Sequence, residues 1–84
     1  MMTQSEGHSR DFVQALANGL EVLAAFGPVS RELTMAQLAE ITGQSRASTR
    51  RAVVTLESLG YLNRNGRRLT LSTKVLELGT SLHT

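Results

Sequence analysis

Three residues, Gly43-Gln44-Ser45, separate two segments that both read as helices, and this spacing constrains the fold more than any other feature. Upstream, Thr34-Met35-Ala36-Gln37 has the form of a capping box. In such a box the Thr hydroxyl accepts an amide three residues on and the Gln side chain reaches back to the cap. The helix that follows, over 35–42, is expected to bury Met35, Leu38, Ala39 and Ile41. Gly43 suits the left-handed position that ends a helix, and Ser45 suits the N-cap of the next, over 46–59. Two helices joined by so short a Gly-containing turn make a helix-turn-helix. Ala39 is small where the second helix would cross close behind the turn.

A wheel of about 100° per residue sorts the second of these helices into two faces. Thr49, Ala52, Val53, Leu56 and Leu59 turn back towards the core. Arg50, Arg51, Ala47 and Val54 lie outward, with Arg46 in the first exposed turn. Arginine mixed with small or short side chains suits a helix that approaches another surface closely. Paired acids and bases would instead mark a solvated face.

The flanking segments complete the pattern. Residues 1–10 are polar and are expected to form a flexible arm. A first helix is expected to start at Asp11, with Gln14 as capping-box partner, and to end near Phe26-Gly27-Pro28. Its apolar positions Phe12, Val13, Leu16, Leu20, Leu23 and Ala24 form one stripe at spacings of three and four. Residues 29–33 read as a loop closing in a very short strand. After Gly60, Tyr61-Leu62-Asn63-Arg64 reads as a strand, Asn65-Gly66 as a type I′ turn and Arg67 to Leu71 as the returning strand. A helix-turn-helix followed at once by a basic hairpin is a winged helix. The expected class is therefore mostly α with a small β-hairpin wing, a winged helix-turn-helix. Ser72 is placed to cap a last helix carrying Val75, Leu76, Leu78 and Leu82, which Gly79 could interrupt. Some of these leucines are expected to lack partners within the domain. A second copy of the chain, or a following domain, would cover them.

Charge is distributed unevenly on this scaffold. Arg46, Arg50, Arg51, Arg64, Arg67 and Arg68 fall within 23 residues beside one acid, Glu57, so this stretch carries +5. Arg10, Arg31 and Lys74 against six acids leave −3 elsewhere, and the overall +2 hides the separation. A local positive field of this kind favours a polyphosphate partner.

Composition excludes several other chemistries. At 84 residues and 40% apolar content there is one small core, without an internal cofactor pocket. The chain has no cysteine, and His8 and His83 sit near opposite ends without acids beside them, so no metal site is expected. No catalytic acid–base pair or phosphate-cradling glycine loop is present, so no enzymatic reaction and no cofactor is expected. No apolar run approaches the ~20 residues of a membrane span, and no signal-peptide pattern opens the chain. A cytoplasmic location is the default, with no membrane partner. Phe12, Phe26 and Tyr61 read as core rather than as stacking platforms for RNA. A winged helix used only as a protein-interaction module is the alternative, and Arg46, Arg50 and Arg51 argue against it.

From Phe12 to Leu82 the chain resembles the N-terminal DNA-binding domain of the IclR family of bacterial transcription regulators. The resemblance rests on Leu56-Glu57-Ser58-Leu59-Gly60-Tyr61-Leu62, on Leu71-Ser72, and on Val75-Leu76-Glu77-Leu78-Gly79. Residues 14–23 and Leu38-Ala39-Glu40-Ile41-Thr42-Gly43 are also similar. Ser45-Arg46-Ala47-Ser48-Thr49-Arg50-Arg51 is more like the branch controlling protocatechuate and p-hydroxybenzoate catabolism. Most other members carry Thr where Ser48 stands and lack the doubled Arg50-Arg51.

The resemblance implies a winged helix-turn-helix over 11–71 and, over 72–84, the start of a linker helix to an effector-binding domain absent from this sequence. Any small-molecule effector would act only through that domain. It also implies a homodimer formed through the first and terminal helices. The expected activity is sequence-specific binding of a near-palindromic double-stranded DNA operator. Helix 46–59 would lie in the major groove, where base edges are distinguishable. Arg46 with Arg50 or Arg51 would donate paired bonds to guanine. Gln44, Ser45 and Ser48 would meet phosphate or a base edge, and Ala47 or Val54 a thymine methyl. The wing arginines Arg64, Arg67 and Arg68 would hold the backbone or enter the minor groove.

Overall fold

The computed structural model describes residues 11–27 and 31–83, the side chains of 80–83 excepted. The expectations for residues 1–10 and for the side chains of Leu82 and His83 lie outside the described residues. Helix α1 spans Gln14–Ala25, strand β1 Leu33–Thr34, helix α2 Met35–Thr42 and helix α3 Arg46–Leu59. Strands β2 (Leu62–Asn65) and β3 (Arg68–Leu71) and helix α4 (Lys74–His83) follow.

Helix α1 begins two residues later than a capping box at Asp11 would place it, with Val13 rather than Asp11 at the N-cap. Val13 is extended there and its own side chain makes no capping hydrogen bond. The Gln14 amide instead donates to Asn18 Oδ1, 2.9 Å away and one turn along. The apolar stripe also divides. Of its six residues only Leu23 packs on the core, whereas Phe12, Val13, Leu16, Leu20 and Ala24 are exposed, and the fully buried residues are Val22 and Phe26, which lie outside the expected stripe. Phe12, read as core from sequence, is 42% exposed. The reason lies in the facing surface of α3. Ser48, Ala52 and Thr55 are too short to fill the space opposite Leu16 and Leu20, and a groove of about 540 Å³ remains between the helices.

The helix-turn-helix follows its local signals. Thr34 and Gln37 form the reciprocal capping box, with Gln37 N donating to Thr34 Oγ1 at 3.2 Å and Thr34 N donating to Gln37 Oε1 at 2.8 Å. Gly43 is left-handed at φ +74° and donates its amide to Ala39 O. Ser45 caps α3 by accepting from Ser48 N. Gly60 ends that helix at φ +90°. There Gly60 N donates to Glu57 O and Tyr61 N to Leu56 O, the paired bonds of a Schellman close.

Thr49, Ala52, Val53 and Leu56 are buried as the wheel predicts. Leu59 is not. At 53% exposed, it stands at the rim of the groove beside α1. Ile41 is likewise exposed rather than buried, while Met35 packs against the core.

The sheet has three strands in the order β1-β3-β2, all antiparallel. The short strand expected before α2 is thus part of the wing's sheet, pairing Leu33 with Leu69. Asn65 pairs with Arg68, which leaves Gly66-Arg67 as the turn rather than Asn65-Gly66. Gly66 has φ +65° and, among the described residues, no non-glycine residue has positive φ. That pattern fits type II′, which needs positive φ at its first central position only, rather than the expected type I′.

One core serves α1, α2, α3 and the three strands: Val22, Phe26, Leu33, Leu38, Ala52, Val53, Leu56, Leu62 and Leu69. Helix α4 continues through Gly79 without a break. Its start is tied to the end of α3. Ser72 N donates to Tyr61 O at 2.9 Å, Ser72 Oγ donates to Gly60 O, and Lys74 Nζ donates to Leu59 O at 3.0 Å. The Lys74 ammonium also lies 5.2 Å from the centre of the Tyr61 ring. Beyond this junction, Leu78 faces outward.

Candidate nucleic-acid interface

Burying Thr49, Ala52, Val53 and Leu56 fixes the rotation of α3, and that rotation decides what the helix offers to a partner. Arg46, Ala47, Arg50, Arg51 and Val54 are all exposed. Among the described residues none of Arg46, Arg50 and Arg51 forms an ion pair with an acid. Arg51 lies nearer to α1 than the wheel alone suggests. It lines the groove and donates only a long, 3.5 Å bond to Ser48 Oγ. The amino end of α3 adds unpaired N–H groups and the positive end of the helix dipole to the same surface.

The three polar residues around the turn are placed differently from one another. Ser45 is exposed but its hydroxyl is engaged as the cap of α3. Ser48 is half-buried between Arg51 and the groove. Gln44, expected at a phosphate or base edge, turns inward instead. Its Nε2 donates to Asn18 O and to Glu21 Oε1, both at 3.1 Å. Its Oε1 is buried without a hydrogen-bond partner. The amide thus braces the turn against α1, and any bond from it to DNA would first break these two. No local motif announces this, because Asn18 and Glu21 are more than twenty positions away.

The hairpin does not gather its three arginines in one place. Directly opposed residues of an antiparallel pair share a face. Arg64 opposes the buried Leu69, so it faces α3, whereas Arg68 opposes Asn65 and Thr34 on the other face. Arg64 Nε and Nη2 each donate to a carboxylate oxygen of Glu57 at 2.9 Å. The Arg64 bonds hold the Glu57 carboxyl below its ordinary pKa, against the smaller opposing effect of burial. Arg68 is 3.8 Å from Glu32 in a loose, exposed pair. Arg67 sits in the turn, exposed and without an ion pair among the described residues. Sequence reasoning missed Glu57 as a partner. Its standing as the sole acid in the basic stretch was the available signal.

Among the described residues no group of three or more His, Cys, Asp or Glu side chains comes together to hold a metal ion. Among the same residues no helix is long and apolar enough to cross a membrane.

Residues 15–66 match the family model described as the IclR helix-turn-helix domain. The chain is 46% identical over 69 residues to the Pca regulon regulatory protein of Pseudomonas putida, covering 82% of this chain and 24% of that protein. It is 38% identical over 79 residues to the p-hydroxybenzoate hydroxylase transcriptional activator of Acinetobacter baylyi, covering 94% of this chain and 29% of that protein. A crystal structure of an IclR family transcriptional regulator from Brucella abortus superposes with a TM-score of 0.81 at 36% identity, over 94% of this chain and 30% of that one. The chain thus spans less than a third of the length of each of these relatives.

Proposed function

This chain belongs to the IclR family of helix-turn-helix proteins, and we propose that it binds double-stranded DNA sequence-specifically as the DNA-reading part of a bacterial transcription regulator. The observation that carries the reading is the outward face of α3. Three arginines without ion pairs among the described residues stand there around Ala47 and Val54, while the opposite face anchors the core.

In this reading α3 enters the major groove. Arg46 and Arg50 or Arg51 donate paired bonds to guanine, and Ala47 and Val54 meet thymine methyls. Ser45 and Ser48 lie where phosphate would pass, and Arg67 and Arg68 hold the flanking backbone or enter the minor groove. Gln44 contributes by fixing the turn.

Residues 11–71 act as the DNA-binding unit and 72–84 as the start of a linker helix. Two copies join through α1 and α4, whose exposed Val13, Leu16, Leu20 and Leu78 support an apolar interface. The operator is a near-palindrome with half-sites about 34 Å apart. The relatives named for the Pca regulon and for p-hydroxybenzoate hydroxylase support a set of regulated genes in aromatic-acid catabolism. The location is the cytoplasm, where the DNA is.

Selection from a random duplex pool followed by salt titration tests the proposal. With about three or four phosphates neutralised per protomer, the dimer should give a slope of log K against log [salt] of roughly −5 to −7. A slope near zero, or equal binding to single-stranded RNA, would overturn it.

A further inference from the structure

A carboxylate beside a phosphate-binding surface repels the ligand, so Glu57 needs an explanation. It lies two turns after Arg50 and on the same side of α3, since seven residues advance a helix by about two full turns. It is the only acid among residues 46–68. Its carboxylate is spent on Arg64, through two parallel bonds of 2.9 Å. This fork-on-fork geometry fixes the angle between its partners as well as their distance. The partners stand on different elements, α3 and β2, with the left-handed turn at Gly60 between them. The pleat aims Arg64 at the helix and away from the face that carries Arg68.

We infer that Glu57 and Arg64 are positioning residues for DNA reading: their ion pair braces the wing against the recognition helix, and Arg64 does not itself grip the duplex. The inference rests on the DNA-binding reading above. The core joins β2 and β3 to α3 through Leu62, at the base of the hairpin, and Leu69. At the level of Leu69, which Arg64 opposes, the Glu57–Arg64 pair is the ion pair that spans helix and wing among the described residues. It sets where Arg67 and Arg68 meet the backbone once α3 is seated in the groove. A complex with this angle fixed tolerates only those duplexes whose groove geometry matches it, so the brace adds specificity. A loosened wing would still find phosphates, at any sequence.

Glu57→Gln separates this brace from a plain charge effect, because a charge effect acts on every duplex alike and leaves the ratio of affinities unchanged, whereas loss of the brace lowers it. The neutral amide removes a negative charge and releases Arg64, so affinity for a scrambled duplex should rise by about two- to fivefold at low salt. The brace is lost as well, so the ratio of affinities for the selected and scrambled duplexes should fall by about five- to tenfold. Arg64→Ala should lower the same ratio without reducing the salt slope by the ~1 per protomer expected for a lost phosphate contact. The double variant should lose no more of the ratio than either single variant, because both act through one pair.

Far-ultraviolet circular dichroism and thermal melting of each variant establish that these ratios come from folded protein. A variant that melts below the assay temperature is replaced by Glu57→Asp, whose shorter reach should lower the ratio in the same direction. An unchanged ratio in the Glu57 variant, or a full unit of salt slope lost in Arg64→Ala, would overturn the inference while the wild-type chain still binds DNA. A wild-type chain with no salt-dependent binding would remove the DNA reading, and the inference with it.

Discussion

Thr49 is a buried polar side chain in the first turn of the recognition helix, and removing its hydroxyl should leave both stability and DNA binding nearly intact. Thr49 is fully buried, and its Oγ1 donates to Ser45 O at 2.9 Å. That carbonyl already accepts the backbone amide of Thr49 at 3.0 Å. Thr49→Val therefore leaves no buried acceptor without a partner. The loss of one hydrogen bond, worth about 0.5–1.5 kcal/mol, is offset by no longer desolvating a hydroxyl. The new methyl needs slightly more room than an oxygen at 2.9 Å, and the residue stays β-branched, so the net change should lie within about 1 kcal/mol of zero.

Thr49→Ala removes the methyl as well and leaves a void beneath α3, which should cost about 1–2.5 kcal/mol. The chain has no tryptophan, so urea unfolding followed by far-ultraviolet circular dichroism is the suitable assay. Both variants should keep duplex affinity within about twofold, since Thr49 faces away from the proposed groove contact. If Thr49→Val proves as unstable as Thr49→Ala, the hydroxyl is essential and the argument from the doubly bonded Ser45 carbonyl fails.

Arg50→Ala should lower affinity by about 1–3 kcal/mol and relax preference at particular base pairs, whereas Arg67→Ala should weaken all duplexes alike and reduce the salt slope by about one per protomer. Equal losses on selected and scrambled duplexes for both variants would refute this division between reader and clamp. The pair formed by Glu57 should resist acid, because its folded pKa is lowered. Its stabilisation is present above the ordinary carboxylate range and is lost as pH falls through the lowered folded value. The stability gap between wild type and Glu57→Gln should accordingly close on acidification, and a gap that widened would reverse the sign of the reasoning. The chain should dimerise weakly in solution and more firmly on a two-half-site duplex. Sedimentation finding one protomer per intact operator at saturation would end the dimer proposal.

The parts of this molecule that were legible in the sequence are those whose causes lie within a few residues. Thr34 and Gln37 cap each other three positions apart, and Ser45 caps Ser48 over the same distance. Gly43 and Gly60 end their helices because the left-handed backbone there suits a residue without a Cβ. The inward face of α3 followed from helical periodicity, and with it the outward placement of Arg46, Arg50 and Arg51. The same local logic failed where two signals competed over one position. Asn65-Gly66 carries the hairpin signal, but the pairing of Asn65 with Arg68 shifted the turn by one residue.

The destinations of long polar side chains were decided only when distant elements met. Gln44 found Asn18 across 26 positions, and β1 joined the wing by pairing Leu33 with Leu69. Whether Arg64 would face a phosphate or Glu57 depended on the pleat of β2 against α3, which charge counting cannot supply. Leu16, Leu20 and Leu59 are as apolar as Leu38, yet they are exposed because α1 and α3 meet there across short side chains and leave a groove. Backbone conformation and periodicity are set by near neighbours. Burial and ion pairing are set by what packs opposite, so the sequence determined the scaffold and its positive face, while the tertiary structure decided which charges on that face are already engaged.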